Sequence, residues 1–545
     1  MPPQSYGIIY NWDGNPHGYS GYPQSLDDFL EKVYAPIKDT QVGALFWCVG
    51  QHEAKWPSTE IPMIGDSVDR RYDTVQDMQR AENVRVLFER NEDPYGAIVA
   101  RGRQIGLDVY ASVRMNDNHF WAAGPRGEAA HPVDRTYWMS DTTQPLRPED
   151  MARTTASELT QARKDHPEWC LGYSAPPWAS TSWNMAVPEV RELRLQYLSE
   201  VCELADWDGI ELDWQRHSFH LPEHDGYRLR YTLTDLQRAV RKMTDGNAER
   251  RGRPFHVSVR VAATLESCRR IGYDVEAWAR EGLCDIVVPA GNSGLDPDIE
   301  MGGFARALDG TGVKLYPGLD TDFRLNARRL MSHLQWRDAW IRGLAAGFWD
   351  RGADGMYAFN WHATKKTRRR LLTTIGDTET LVRADKVYAA VHGIKAPKGT
   401  LRDGADLHDR IHAETPVVLY CTISRGEGPT FDVPVYDDVM GADRRGELEA
   451  VELQMEVEHY SPTGDHVDVN LDGELLGDPI VRNAAAEDPN APADVDENSW
   501  LVFVLRPEQT ERGPHSVQVR LVERDARVSP PLVVNHVEIH VRYRR

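Results

Sequence analysis

The stretch Trp207-Asp208-Gly209-Ile210-Glu211-Leu212-Asp213-Trp214 reads as a buried β-strand entered through an Asp-Gly pair. Side chains two residues apart on a strand share a face. Glu211 and Asp213 therefore point one way, and Ile210 and Leu212 the other. Acids on one face and branched aliphatics on the other suit a barrel strand, with the acids in the lumen and the aliphatics against outer helices. Arg216 and His217 follow where the chain should leave the strand. Carboxylates, an arginine and a histidine gathered at one strand end point to an active site more than to a core.

Outward from this strand, strand-like and helical segments alternate as far as residue 360. The strand-like segments are Tyr6–Asn11, Ala44–Val49, Leu107–Val113, Gly209–Asp213, Phe255–Val261, Asp285–Val288, Val313–Tyr316 and Gly355–Asn360. Helical patterns lie between them at Ser25–Ile37, Tyr95–Ile105, Val187–Leu204, Leu233–Glu249, Asp274–Glu281 and Leu325–Ala346. Eight such pairs predict a (β/α)8 TIM barrel rather than an open doubly wound sheet. In the third strand Tyr110, Ser112 and Arg114 share the polar face, and in the fifth His256, Ser258 and Arg260 do. Both faces should look into the lumen. The longest insertion follows Arg114 and should shape a pocket. After about residue 395 short strands separated by Gly, Pro and Asp turns predict a C-terminal antiparallel β-sandwich. The expected division is a barrel at 1–394 and a sandwich at 395–545.

The chain has 545 residues, with 63 Lys and Arg against 84 Asp and Glu, a formal charge of -21. That balance disfavours nucleic acid and anionic membranes as partners. No apolar run approaches the ~20 residues of a membrane span, and no export signal is recognisable. Cytoplasmic residence is expected, or export with the signal lying outside this sequence. The six cysteines at 48, 170, 202, 268, 284 and 421 form no Cys-x-x-Cys pair, so free buried thiols are expected and a structural zinc site is not. There is neither a Gly-rich phosphate loop nor a Gly-x-Ser-x-Gly elbow. No cofactor and no metal are expected.

Barrel active sites lie at the C-terminal ends of the strands. Those ends carry Asn11 and Asp13; His52; Arg114, Asn116, Asp117 and His119; Glu211, Asp213, Arg216 and His217; Arg260; Asn292; and Asn360. Trp12, Trp47, Phe120, Trp178, Trp183, Trp214 and Trp361 interleave with them. Polar groups beside aromatic faces suit a sugar. Blander readings stand beside this one. Glu211 and Asp213 also fit a buried network with Arg114 or Arg260, Asp13-Gly14 also fits a turn, and His119 also fits a loop histidine bonded to Asp117. His217 and His220 are equally compatible with solvent.

Two family resemblances narrow the reading. The strand motif is similar to the Asp-Gly-x-Asp-x-Asp-x-Glu of chitinase-like family 18 barrels, but Gln215 stands where that family has its acid glutamate. An amide is no general acid, so chitinase chemistry is not expected. A longer series resembles glycoside hydrolase family 156, the inverting exosialidases, and related bacterial barrels. It comprises Ile9 to Gly14, Arg114 to His119, His166-Pro167-Glu168-Trp169, Asp208 to His217, Tyr273 to Leu283, and Gly352 to Trp361. The resemblance implies release of a terminal sialic acid with inversion, by Asp13 and His119 as acid and base in either order. Histidine has a pKa near ~6.5 and suits a base. Burial of Asp13 would suit an acid.

The implied substrate is a sialylated glycan, itself a carboxylate, with Arg114, Arg216 and Arg260 as candidate partners and Asn11, Asn116, Glu211, Asp213 and Asn360 as further binding candidates. The rival readings are an exo-glycosidase using Glu211 and Asp213 on a neutral sugar, and a non-catalytic sugar-binding barrel. The sandwich is expected to cover a barrel face or form a homodimer interface rather than to bind glycans.

Overall fold

In the computed structural model, residues 3–12, 21–50, 52–72, 74–118, 147–153, 159–176, 179–291, 298–320, 338–361, 363, 366–391, 414–420, 428–483 and 498–544 are described. The chain forms two compact units. The first holds a parallel sheet of β1 (Ile8–Trp12), β2 (Val42–Gly50), β3 (Asp108–Arg114), β4 (Gly209–Asp213), β5 (His256–Ala262), β6 (Ile286–Ala290), β7 (Lys314–Leu315), β8 (Gly318–Asp320) and β9 (Met356–Phe359).

The sheet runs in the order β7-β6-β5-β4-β3-β2-β1-β9-β8. Its two outermost strands are halves of one segment, parted only by Tyr316 and Pro317. The Tyr316 N–H donates to the Val287 carbonyl at 3.0 Å, and the Tyr357 N–H donates to the Pro317 carbonyl at 3.1 Å. One stave therefore bonds β6 through its first half and β9 through its second, and the ring closes with eight staves. Pro317 has no N–H to give, which breaks the ladder where the sequence predicts a single seventh strand.

The lumen is layered. At its lower end Tyr6, Phe46, Tyr110, Tyr316 and Tyr357 pack with Ile9, Ala44 and Ile286, and Val288 and Phe359 extend this cluster up to the level of Arg260. The expected polar lumen face therefore begins only above Tyr110, because a closed barrel must fill its interior with side-chain volume. Gly209 sits against this filling. A Cβ there would lie 2.4 Å from the His256 carbonyl oxygen and 2.5 Å from the Tyr110 ring.

The strands are also stapled at their starts. Asp208 accepts from the Val109 N–H at 2.8 Å, Asp285 from the Val257 N–H at 2.7 Å, and Asp354 from the Leu315 N–H at 2.9 Å. Each carboxylate also holds a cation: Arg253 at 2.9 Å, Arg241 at 2.8 Å and Lys314 at 2.8 Å, respectively. Of the long insertion after Arg114, residues 119–146, 154–158 and 177–178 lie outside the described residues.

The second unit contains β10 (Lys386–Ala389), β11 (Val417–Leu419), β12 (Thr430–Val435), β13 (Leu448–Glu458), β14 (His466–Leu471), β15 (Glu474–Leu475), β16 (Ile480–Asn483), β17 (Asn498–Val504), β18 (Gly513–Glu523) and β19 (Leu532–Tyr543). Two antiparallel sheets, β10-β19-β13-β17-β16 and β12-β18-β14-β15, face each other as a β-sandwich. Leu453, Met455, Phe503 and Ile539 of one sheet meet Val433, Val469 and Val519 of the other. Between β14 and β15 lie Asp472 and Gly473, with φ of 52° and 88°. An Asp-Gly pair with both φ positive suits a type I′ turn. β10 precedes residue 394 yet pairs with β19, and the helix Asp338–Asp350 also belongs to this unit.

Gly209→Ala is expected to destabilise the barrel by about 1–3 kcal/mol, because the Tyr110 ring and the His256 carbonyl must both yield. Chemical denaturation measures it, and an unchanged midpoint would show that the close approach is dispensable.

Candidate active site

Parallel register places Ser112, Glu211 and Ser258 at one level and Arg114, Asp213 and Arg260 at the next level up. Glu211 accepts from Asn11 Nδ2 at 2.8 Å, from Ser112 Oγ at 2.5 Å and from the Tyr357 hydroxyl at 2.7 Å. Asn11 and Tyr357 come from β1 and β9, which are not sheet neighbours of β4. Only a carboxylate pointing into the lumen reaches them, so the alternation read from the sequence holds. Glu211 is completely buried. Burial, and then the Asp213 charge, push its pKa up to about 7 against the opposing pull of Ser112, Tyr357 and Arg260.

Asp213 is equally enclosed. Its Oδ1 accepts from Arg260 Nη1 at 3.1 Å and from the backbone N–H groups of Gln215 at 3.1 Å and Arg216 at 2.9 Å. Its Oδ2 lies 3.3 Å from the same guanidinium nitrogen. Arg260 rests over the Phe359 ring at 4.1 Å and donates to the Gly291 carbonyl at 3.3 Å. Both carboxylates of the strand motif are thus fully engaged by the protein itself.

Arg114 donates to Asp117 Oδ2 at 2.7 Å. Burial holds its guanidinium below the usual range, with Asp117 opposing this and the nearby Arg216 charge adding to it. The Arg216 guanidinium reaches over Phe359 at 5.9 Å. Three guanidiniums therefore meet at one end of the barrel: Arg114 and Arg260 flank Asp213, and Arg216 lies within electrostatic reach of Arg114.

Asn116 is a clamp. Its Nδ2 donates to the Trp183 and Phe219 carbonyls at 2.9 and 2.6 Å, and its Oδ1 accepts from the Trp183 N–H at 2.8 Å and from Arg163 at 3.3 Å. It ties two loops together. His217 and His220 are both buried rather than solvent-facing. The Asn118 N–H donates to His217 Nδ1 at 3.1 Å, which leaves the neutral ring's proton on Nε2. Burial brings His220 down to about 3, so it is neutral. His52 is held well below its ordinary value by burial and by Arg163 and Arg194.

His217 and Asn360 have φ of 53° and 49°. Left-handed backbone at residues other than glycine is costly and clusters at functional sites. Here it marks the ends of β4 and β9. Asp13 and His119 lie outside the described residues, as does Asn292. Their neighbours Trp12 and Asn118 are in place: Trp12 ends β1, and Asn118 is held between His217 and Thr181, whose hydroxyl donates to its Oδ1 at 2.8 Å. Tyr357 escaped the sequence reading as a lumen partner of Glu211. Its signal was the alternation of Tyr357 and Phe359 in the last strand. The five described cysteines carry free thiols, and Cys421 lies outside the described residues.

No family model matches the chain, and no curated protein matches it. Among solved structures it is similar to a cycloisomaltooligosaccharide glucanotransferase from Paenibacillus sp., at 9% identity over 97% of this chain and 57% of that one, with a TM-score of 0.31. It is similar to chitinase ChiW from Paenibacillus sp., at 11% identity over 97% of this chain and 56% of that one, with a TM-score of 0.36. A third is the PgaB glycoside hydrolase domain of Bordetella bronchiseptica, at 11% identity over 68% of this chain and 98% of that one, also with a TM-score of 0.36. The chain spans only a little over half the length of the first two.

Two outcomes follow from the buried charges. Arg260→Ala leaves Asp213 buried without its cation and should cost about 3–5 kcal/mol, much of it recovered by Arg260→Met combined with Asp213→Asn; denaturation of the three proteins tests this. The folded pKa of Glu211 lies above the unfolded one, so its contribution is fully present below about pH 4.5 and is lost as pH rises through about 7. Glu211→Gln should therefore gain melting temperature relative to the parent between pH 5 and pH 8, whereas a pH-independent difference would contradict the raised pKa.

Proposed function

We propose that this chain is an exo-acting glycoside hydrolase that releases a terminal sialic acid with inversion, Asp13 and His119 sharing the proton transfers. The observation that carries the reading is the convergence of Arg114, Arg216 and Arg260 at the C-terminal ends of β3, β4 and β5. Arg114 already holds Asp117 and Arg260 holds Asp213, and the three cationic side chains together still favour an anionic group of a sugar at these strand ends. Each charge-assisted bond to a sugar carboxylate contributes ~1.5–3 kcal/mol. The sequence resemblance to inverting exosialidases narrows the anionic sugar to sialic acid.

Inversion needs a base to take a proton from water and an acid to protonate the leaving oxygen, without a protein nucleophile. Glu211 and Asp213 are poor candidates for those roles. Each of their oxygens already faces a protein donor, so they are better placed to hold the strand ends than to meet a glycosidic oxygen. The barrel unit is taken as the catalytic part. The sandwich is assigned a structural role.

Incubation with sialyllactose and chromatography of free sialic acid tests the proposal. His119→Ala and Asp13→Ala should each lower release by about a hundredfold or more. Arg216→Met should act mainly by raising KM about tenfold or more. Proton NMR of the first-formed anomer should show inversion. Folded protein that releases no sialic acid would sink the assignment, and saturable sugar binding without product would favour a lectin-like barrel.

A further inference from the structure

Two side-chain amides stand at neighbouring strand ends, and their situations are opposite. Asn116, beyond β3, has both polar atoms bonded to backbone or to Arg163. Gln215, beyond β4, is completely buried, and neither Nε2 nor Oε1 has a hydrogen-bond partner. A buried amide without partners costs about 1–3 kcal/mol for each group left unpaired, and such groups are rare enough to call for a cause.

The place of Gln215 follows from its neighbours. The Trp214 N–H donates to the Arg260 carbonyl at 3.1 Å, closing the last pair of the β4–β5 ladder, and is also 3.1 Å from the Leu212 carbonyl, where the chain begins to turn. The Trp214 ring packs among Tyr273, Trp278 and His220, with centroids at 6.1, 5.9 and 5.0 Å, on the same outward side as Leu212. Gln215 follows in the bend after β4, where its backbone N–H donates to Asp213 Oδ1 at 3.1 Å and so holds it beside the lumen carboxylate. Other polar atoms of the same staves are also buried without partners: Trp12 Nε1 and Asn11 Oδ1 near the end of β1 and, at the Glu211 level, Ser258 Oγ on β5.

We propose that the Gln215 carboxamide is a specificity-determining group that reads two adjacent hydroxyls of the sugar, its N–H donating to one and its carbonyl accepting from the other. A carboxamide presents a donor and an acceptor side by side, and vicinal hydroxyls, each able to donate and accept, meet that pair in bidentate fashion. An apolar ligand would leave the amide as it is. A single hydroxyl would satisfy half of it. The assignment rests on the sialidase reading for the identity of the diol: on sialic acid, adjacent hydroxyls occur only along the exocyclic three-carbon chain.

The test compares an aryl α-sialoside with the same compound after mild periodate oxidation and borohydride reduction, which removes the terminal diol. The parent protein should prefer the intact compound by about tenfold in kcat/KM. Gln215→Leu should lose about tenfold on the intact compound and almost nothing on the truncated one. Its melting temperature should hold or rise, since an unpaired buried amide is replaced by an apolar group. An equal loss on both compounds, a retained preference, or a lowered melting temperature with the preference intact would overturn the proposal in favour of a structural amide bonded to water.

Calorimetric binding of the methyl α-glycosides, intact and truncated, separates this inference from the hydrolase reading. If no sialic acid is released but Gln215 still governs a preference for the intact glycoside, the hydrolase assignment falls and the diol-reading role stands. If neither glycoside binds, or both bind the parent and Gln215→Leu alike, the role falls.

Discussion

The architecture turns on one buried carboxylate. Glu211 reaches across the lumen to donors on β1, β3 and β9, and so links staves on both sides of the barrel through a single charge-bearing group. Taking a carboxylate out of water is expensive, and its bonds offset that cost only while every partner is in place. The arrangement therefore dictates register as much as it stabilises: a slip of one residue on β4 would put Glu211 against the outer helices and Leu212 in the polar layer. Asp213 repeats the logic one level up, where Arg260 and two backbone amides hold it. Together these acids form a floor on which the groups at the strand ends stand.

This floor divides the two roles that the sequence leaves open for the strand-four acids. A carboxylate that must meet a substrate needs an oxygen turned toward the ligand. Glu211 and Asp213 have theirs turned toward the protein. Beyond this floor come Arg216, His217, Asn360 and Gln215, where the backbone departs from regular strand and two residues adopt left-handed geometry. In the proposed reading chemistry belongs to that level, and Asp13 and His119 follow β1 and β3 in the sequence.

Much of the barrel was legible because period-two alternation is local. The inward positions of β3, β4 and β5 can be read from five to seven residues each, and so can the helix Pro188–Glu203 from its buried stripe. Features that depend on distant partners were not legible. The division of the seventh stave at Pro317 emerges only when both neighbouring strands are in place. The helix Val75–Glu89 lacks a clean apolar stripe because it buries Glu82 and Asn83, which bond Arg70 and Tyr72 and the Gln24 N–H. β10 is a short Lys-Val-Tyr-Ala run whose place in the sandwich is decided by β19, some 150 residues onward. At the site, Asn116 and Gln215 offer the same carboxamide group. Their difference lies entirely in which carbonyls and amides the fold brings beside them.

The carboxylate staples at Asp208, Asp285 and Asp354 have a consequence for how such a molecule diversifies. They join β3 to β4, β5 to β6 and the closing stave to β9 at the ends opposite the mouth. The strand pairs are thus secured by contacts that no loop at the functional end supplies. Insertions, deletions and exchanges in those loops alter what the barrel recognises while the staves keep their alignment. Heritable variation is channelled toward the rim, and a lineage carrying these three acids can explore new ligands without first rebuilding its scaffold.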